Sequence, residues 1–274
     1  CDQNDLGSKL TSHPDVATQA YRTKQFLLAL RTDTQTLARL DPIADPSFDF
    51  TPGPREAERQ YDGYAHIGDL NLRVRGADGA QWQEFSSSAA RRPVTPLAAG
   101  GKTLAAADIT ASLGKDVPLT VERRWLNEGG ALVLRFTLIN NSGAPVEIGG
   151  LGMPMVFDNI ITDRTLEQAH ASASFADPYI GRDGGYVQVT RLNGQGPALI
   201  VTPDGRTPLE AWRPLADRSA RAQTAEGFYD WTVASKAYAE NEWKNAGEQW
   251  NAPTSITLAH GARLSAKFVS EIEN

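Results

Sequence analysis

Leu132-Val133-Leu134-Arg135-Phe136-Thr137-Leu138 sets Leu132, Leu134, Phe136 and Leu138 at every second position, opposite Arg135 and Thr137. Side chains of an extended chain leave alternate faces, so the run reads as a half-buried strand. The pattern recurs where Leu70, Leu72 and Val74 interleave with Asn71, Arg73 and Arg75. Further strands are expected near Gln25–Leu30, Thr36–Leu40, Leu119–Trp125, Val146–Leu151, Tyr186–Leu192, Ala198–Thr202, Ser255–Leu258 and Arg263–Val269. Turn chemistry separates them, as at Asp78-Gly79, Glu128-Gly129-Gly130, Asn141-Ser142-Gly143, Asn193-Gly194 and His260-Gly261. The expected fold is all-β, a large antiparallel sandwich with less than about a fifth of its residues helical. One helix is expected, over Ala234–Asn245, with Glu240 and Lys244 as an i,i+4 pair.

The 274 residues suit one large β domain, and residues 1–20 read as a tether or linker before a sandwich over 21–274. Net charge is −6, and no basic run exceeds Arg91-Arg92 or Arg123-Arg124, which argues against nucleic acid as a partner. No stretch reaches the roughly 18 consecutive apolar residues that a membrane-spanning helix needs. The sole cysteine is Cys1. A cysteine at the first position, followed by a polar stretch, fits a bacterial lipoprotein lipidated there. That predicts a secreted, periplasmic or cell-envelope protein whose only membrane contact is the lipid.

Between Phe228 and Trp250, six aromatic residues (Phe228, Tyr229, Trp231, Tyr238, Trp243, Trp250) alternate with Asp230, Glu240, Asn241, Glu242, Asn245 and Glu248. Flat apolar faces beside amide and carboxylate groups suit a sugar, whose C–H faces stack on rings while its hydroxyls need hydrogen bonds. An oligo- or polysaccharide is therefore the expected partner. The candidate binding residues are Tyr179, Trp212, Tyr229, Trp231, Tyr238, Asn241, Trp243 and Trp250. The long segment Gly205–Ala225, with Glu210, Trp212 and Arg213, is a candidate binding loop.

Familiar catalytic motifs are mostly missing. His13, His66, His170 and His260 lie far apart in sequence, so neither a metal nor another cofactor is expected. There is no GxSxG elbow and no phosphate loop. Paired carboxylates remain. Glu240 and Glu242 would stand about 6.6–7 Å apart on one face of a strand, near an inverting glycosidase's separation, but would diverge by about 200° on the expected helix. His170 and Asp177 are the other acid–base candidates.

The run Leu132–Ile148, followed by Gly152-Met153-Pro154-Met155, resembles the N-terminal β-supersandwich domain of large secreted carbohydrate-active proteins, in which the sandwich precedes a six-hairpin (α/α) toroid. Phe175–Gly181, Gly227–Trp231 and Ser235–Trp243 are more narrowly similar to an uncharacterised family of bacterial and fungal six-hairpin-glycosidase-like proteins. The resemblance implies a galactose-mutarotase-like supersandwich and a C-terminal toroid beyond Asn274. It also implies a glycoside hydrolase or polysaccharide lyase parent whose general acid lies in the toroid. Two other readings fit the residues. One is a stand-alone carbohydrate-binding lipoprotein; the other is a mutarotase-like enzyme, which requires His170 to meet a glutamate.

Overall fold

Alternating polarity is realised as antiparallel sheets in a computed structural model that describes residues 17–56, 64–76, 78–205, 207–215 and 227–273. Strands β1 (Thr18–Arg22), β2 (Phe26–Arg31) and β3 (Leu37–Pro42) form a small sheet. A second sheet runs β14 (Ala211–Pro214), β15 (Tyr229–Ala234), β10 (Val146–Met155), β4 (Asn71–Gly76) and β5 (Gln83–Ser86), with β16 (Ile256–Leu258) also paired to β10. The eight-stranded sheet runs β11 (Ser174–Tyr179), β12 (Tyr186–Arg191), β13 (Leu199–Pro203), β17 (Arg263–Ile272), β9 (Ala131–Ile139), β8 (Thr120–Glu128), β7 (Thr103–Asp108) and β6 (Thr95–Pro96).

The core fills the space between the two larger sheets. Leu132, Leu134, Phe136 and Leu138 of β9 are all buried in it, as their spacing requires. Phe268 of β17 meets Phe136 edge-on at 6.5 Å and Trp231 of β15 at 5.2 Å, which ties one sheet to the other. Strand accounts for 44% of residues and helix for 8%, so the all-β expectation holds.

Three local expectations change. Cys1 lies outside the described residues, but residues 18–20, expected in the tether, belong to β1, because Tyr21 packs against the core and holds the strand in register on β2. The expected helix Ala234–Asn245 shrinks to α2 (Lys236–Glu240). Beyond Glu240 the chain unwinds so that Trp243 N–H reaches Tyr238 O, and Glu240 bonds Trp82 instead of pairing with Lys244. A helix α1 (Leu166–Ser172) stands where none was expected; Thr165 and Gln168 form a reciprocal capping box at its start.

Asp49 offers a test of burial. Its Oδ1 accepts from Leu40 N–H, Thr51 N–H and the Thr51 hydroxyl, yet burial outweighs these bonds and pushes the carboxyl up to about 6. The folded state therefore holds the proton more tightly than the unfolded chain, and the resulting penalty, absent below about pH 4, is complete above about pH 6. Asp49→Asn keeps the accepting oxygen without the charge. It should stabilise the protein by about 1–3 kcal/mol at pH 7.5 and not at all at pH 4, as urea denaturation at the two pH values would reveal.

Candidate functional site

The outward face of the six-stranded sheet gathers most of the molecule's unusual polar chemistry. Leu72 and Val74 of β4 point into the core, so Asn71, Arg73 and Arg75 must point away from it. Central strand β10 would normally raise side chains between them, but it carries Gly149, Gly150 and Gly152. A Cβ at Gly149 would collide with the Trp82 ring, and one at Gly150 would lie 3.0 Å from the Tyr238 hydroxyl. One at Gly152 would lie 2.5 Å from Asp230 Oδ2. The glycines thus clear a floor on which Trp82, Tyr238 and Asp230 rest.

Two linked charge networks occupy this floor. Asp230, fully buried on β15, accepts from Arg213 Nη2 at 2.6 Å and from Asn71 Nδ2 at 3.1 Å. Burial drives its carboxyl up against the opposing pull of Arg213. The guanidinium carbons of Arg213 and Arg73 lie 4.3 and 4.5 Å from the centre of the Tyr238 ring. Buried beneath them, the Tyr238 phenol is pushed up to about 12. Arg73 grips Glu242 with two nitrogens at 2.6 and 2.8 Å and reaches Glu84 at 3.3 Å. In the second network Arg75 stacks on Trp82 at 4.0 Å and donates to Glu147 at 2.5 Å. Although burial raises the Glu147 carboxyl, bonds from Arg75, Ser255 and Lys236 prevail and hold it down at about 2. Two buried polar atoms of this face, Arg213 Nε and Thr232 Oγ1, have no hydrogen-bond partner among the described residues.

Several sequence candidates meet here. Tyr238 is buried, half-buried Trp243 tilts against it at 5.7 Å, and Glu240 and Glu242 lie at the rim. Glu240 accepts from Trp82 Nε1 at 2.6 Å, and exposed Asn241 turns its amide back onto Ala237 O. Both glutamates are engaged in ion pairs with arginines, an arrangement that suits positioning better than proton transfer.

Others fall elsewhere. Trp231 is a core residue, fully buried and bonded through Nε1 to Pro208 O, because β15 alternates and its even-numbered partners face out. Trp212 pairs with Trp231 in register and therefore faces the core side too, stacked on Tyr229 at 5.5 Å. Tyr179 stacks on Tyr186 at the far edge of the eight-stranded sheet, and Trp250 is 87% exposed on a loop. His170 lies in the last turn of α1 and Asp177 lies exposed on edge strand β11 of the eight-stranded sheet, whereas Glu240 and Glu242 pair with arginines of β4 in the other sheet. His170 forms no hydrogen bond or ion pair with Glu240 or Glu242, which are engaged by Trp82, Arg73 and Arg75. Of the proposed loop Gly205–Ala225, residues 206 and 216–225 lie outside the described residues; buried Glu210 is structural, bonded to Arg182, Ser235 and Thr254.

Residues that sequence reasoning left unassigned carry much of the site: Asn71, Arg73, Arg75, Trp82, Glu84 and Glu147. The outward phase of Asn71, Arg73 and Arg75 on β4 and of Glu147 on β10 was readable, but the convergence of all six with α2, more than 80 residues away, was not. Among the described residues, no group of three or more His, Cys, Asp or Glu is placed to hold a metal.

Residues 29–271 match the model of a family described as a family of unknown function (DUF5695). No curated protein matches the chain by sequence. Among solved structures, a polysaccharide lyase superposes with a TM-score of 0.65 at 14% identity, covering 93% of this chain and 33% of its own. The chain thus spans about a third of the lyase's length. A galactose mutarotase related enzyme from Lactobacillus acidophilus and a galactose mutarotase-like protein from Lactobacillus casei each superpose with a TM-score of 0.52 at 9% identity. These cover 94% of this chain and 98% and 100% of their own. At such identities the likeness is one of fold: the chain is a galactose-mutarotase-like β-sandwich.

Proposed function

The chain belongs to this family of unknown function, and we propose that it is the carbohydrate-contacting sandwich unit of a glycan-degrading protein of the glycoside hydrolase or polysaccharide lyase kind. The observation that carries the reading is the glycine-cleared outward face of the six-stranded sheet. There the indoles of Trp82 and Trp243 stand beside the charged groups of Arg73, Arg75, Glu84, Glu240 and Glu242. Sugars bind on such surfaces through stacked C–H groups and hydroxyls bridged between donors and acceptors.

The polysaccharide lyase supports the architectural part of the proposal, since a sandwich like this one forms only a third of that chain. In the proposed parent protein the general acid belongs to a following (α/α) toroid. Residues 1–274 should therefore bind glycan without cleaving it. A glycan array and a reducing-sugar assay on this chain test both halves. Loss of one stacking ring removes about 1 kcal/mol, so Trp243→Ala and Trp82→Ala should each weaken binding about fivefold while the fold persists. Binding indifferent to both substitutions would sink the assignment of this face. Turnover that vanishes in Glu240→Gln or Glu242→Gln would replace the accessory role with a catalytic one.

A further inference from the structure

A second cleft, of about 330 Å³, opens on the eight-stranded sheet between the segment after β3 and the turn after β12. This is near the lower end of the range for small-molecule sites, about 300–1,000 Å³. Arg191, the last residue of β12, lines it and is only 6% exposed. Its guanidinium carbon lies 4.1 Å from the centre of the Phe48 ring, and Nη1 donates to Asp45 Oδ2 at 2.7 Å. From the other side Gly196 presses on it. A Cβ there would lie 3.0 Å from the guanidinium carbon, and the φ of +77° favours glycine as well. The guanidinium is thus held in one pose. Yet Nε and Nη2 have no hydrogen-bond partner among the described residues. Leaving such donors buried and unpaired is costly, and a purely structural ion pair does not require it.

We propose that this cleft is a saccharide site for a single neutral, polyhydroxylated ring, separate from the sheet face described above and independent of that reading. Charge decides the ligand class. Among the described residues Arg191 is the only cation lining the cleft, and Asp45 already balances it, so a carboxylate or phosphate would add an unmatched negative charge. A vicinal diol suits the pair better. Once the exposed turn that packs Gly196 on the guanidinium shifts aside, one hydroxyl accepts from Arg191 Nε or Nη2, both buried in the free chain, while its neighbour donates to Asp45, whose side chain is 42% exposed. Asn193 Oδ1 is used within its turn, accepting from Gln195 N–H, so its amide nitrogen is the end it can offer a ligand. Ser47 holds Asp45 Oδ1 at 2.6 Å and fixes the carboxylate's direction.

The test is local. In a ¹⁵N-labelled chain the Arg191 Nε–H resonance, assigned through its contacts with the Phe48 ring, should shift on titration with D-glucose, D-galactose or D-mannose at tens of millimolar. It should respond the same way in Trp243→Ala, which separates this cleft from the sheet face. Gln195→Trp, placed on the exposed turn to block the cleft, should weaken the response about tenfold or more at unchanged Tm. Asp45→Asn should weaken it as well. A resonance that no hexose moves, or that moves only with D-glucuronate or inorganic phosphate, would overturn the proposal.

Discussion

Arg213→Met is expected to remove about 3–5 kcal/mol of folding stability at neutral pH. Asp230 is wholly buried, and Arg213 Nη2, at 2.6 Å, is its charged partner. Methionine roughly preserves the stem that packs beside Tyr238 but removes the positive charge, leaving the carboxylate with the amide of Asn71 at 3.1 Å. Breaking a buried pair from one side is costly because the surviving charge stays desolvated, whereas removing both charges is often tolerated. Arg213→Met with Asp230→Leu should accordingly recover part of the loss. The recovery is limited because Asn71 then loses its acceptor. Urea denaturation of the wild type and the two variants, compared at equal m-values, measures the difference. A loss below about 1 kcal/mol in the single variant would mean that Asp230 is not held as an ion pair.

The strands were legible wherever one face is buried and the other wet. Leu132 to Leu138, Leu72 to Val74 and Arg263 to Ile272 all lie in strands with the phase their spacing gives. β7 was not legible: its Leu104-Ala105-Ala106-Ala107 stretch carries little side-chain contrast. Nor was β15, where Trp231 and Tyr229 read as ligand platforms because aromatic composition drew attention away from the period-two pattern of Tyr229, Trp231 and Val233. The capping box of α1 was present in Thr165 and Gln168 and needed no tertiary information. The candidate site was half legible. Tyr238, Trp243, Glu240 and Glu242 were singled out, but their partners Arg73, Arg75 and Trp82 are set by the pairing of β4 with β10 and by the three glycines that let α2 settle on the sheet. That pairing joins residues over 70 positions apart, which local pattern cannot encode.

Acid should also loosen the molecule through Asp69, two residues before Asn71. Its carboxylate is almost fully buried and accepts from His66 N–H, the Ser87 hydroxyl and Arg91 Nη2, each at 2.7 Å. Nearby, Arg123 is also buried and donates to the carbonyls of Gly68 and Thr34. Burial alone would raise the Asp69 carboxyl, but the charges of Arg91 and His66, together with the hydrogen bonds, prevail and hold it below the usual carboxylate range. The folded state therefore binds this proton less readily than the unfolded chain. The stability so gained is complete above the unfolded value of about 3.9 and disappears as pH falls through the folded one. Asp69→Ala should cost about 3–5 kcal/mol at pH 7, because Arg91, Arg123 and the His66 N–H lose a buried counter-charge together. Between pH 4 and pH 2.5 the gap between wild type and variant should narrow as Asp69 of the unfolded wild-type chain takes up a proton that the folded state still refuses. A gap that stays constant from pH 7 to pH 2.5 would show that Asp69 acts through packing and not through its charge.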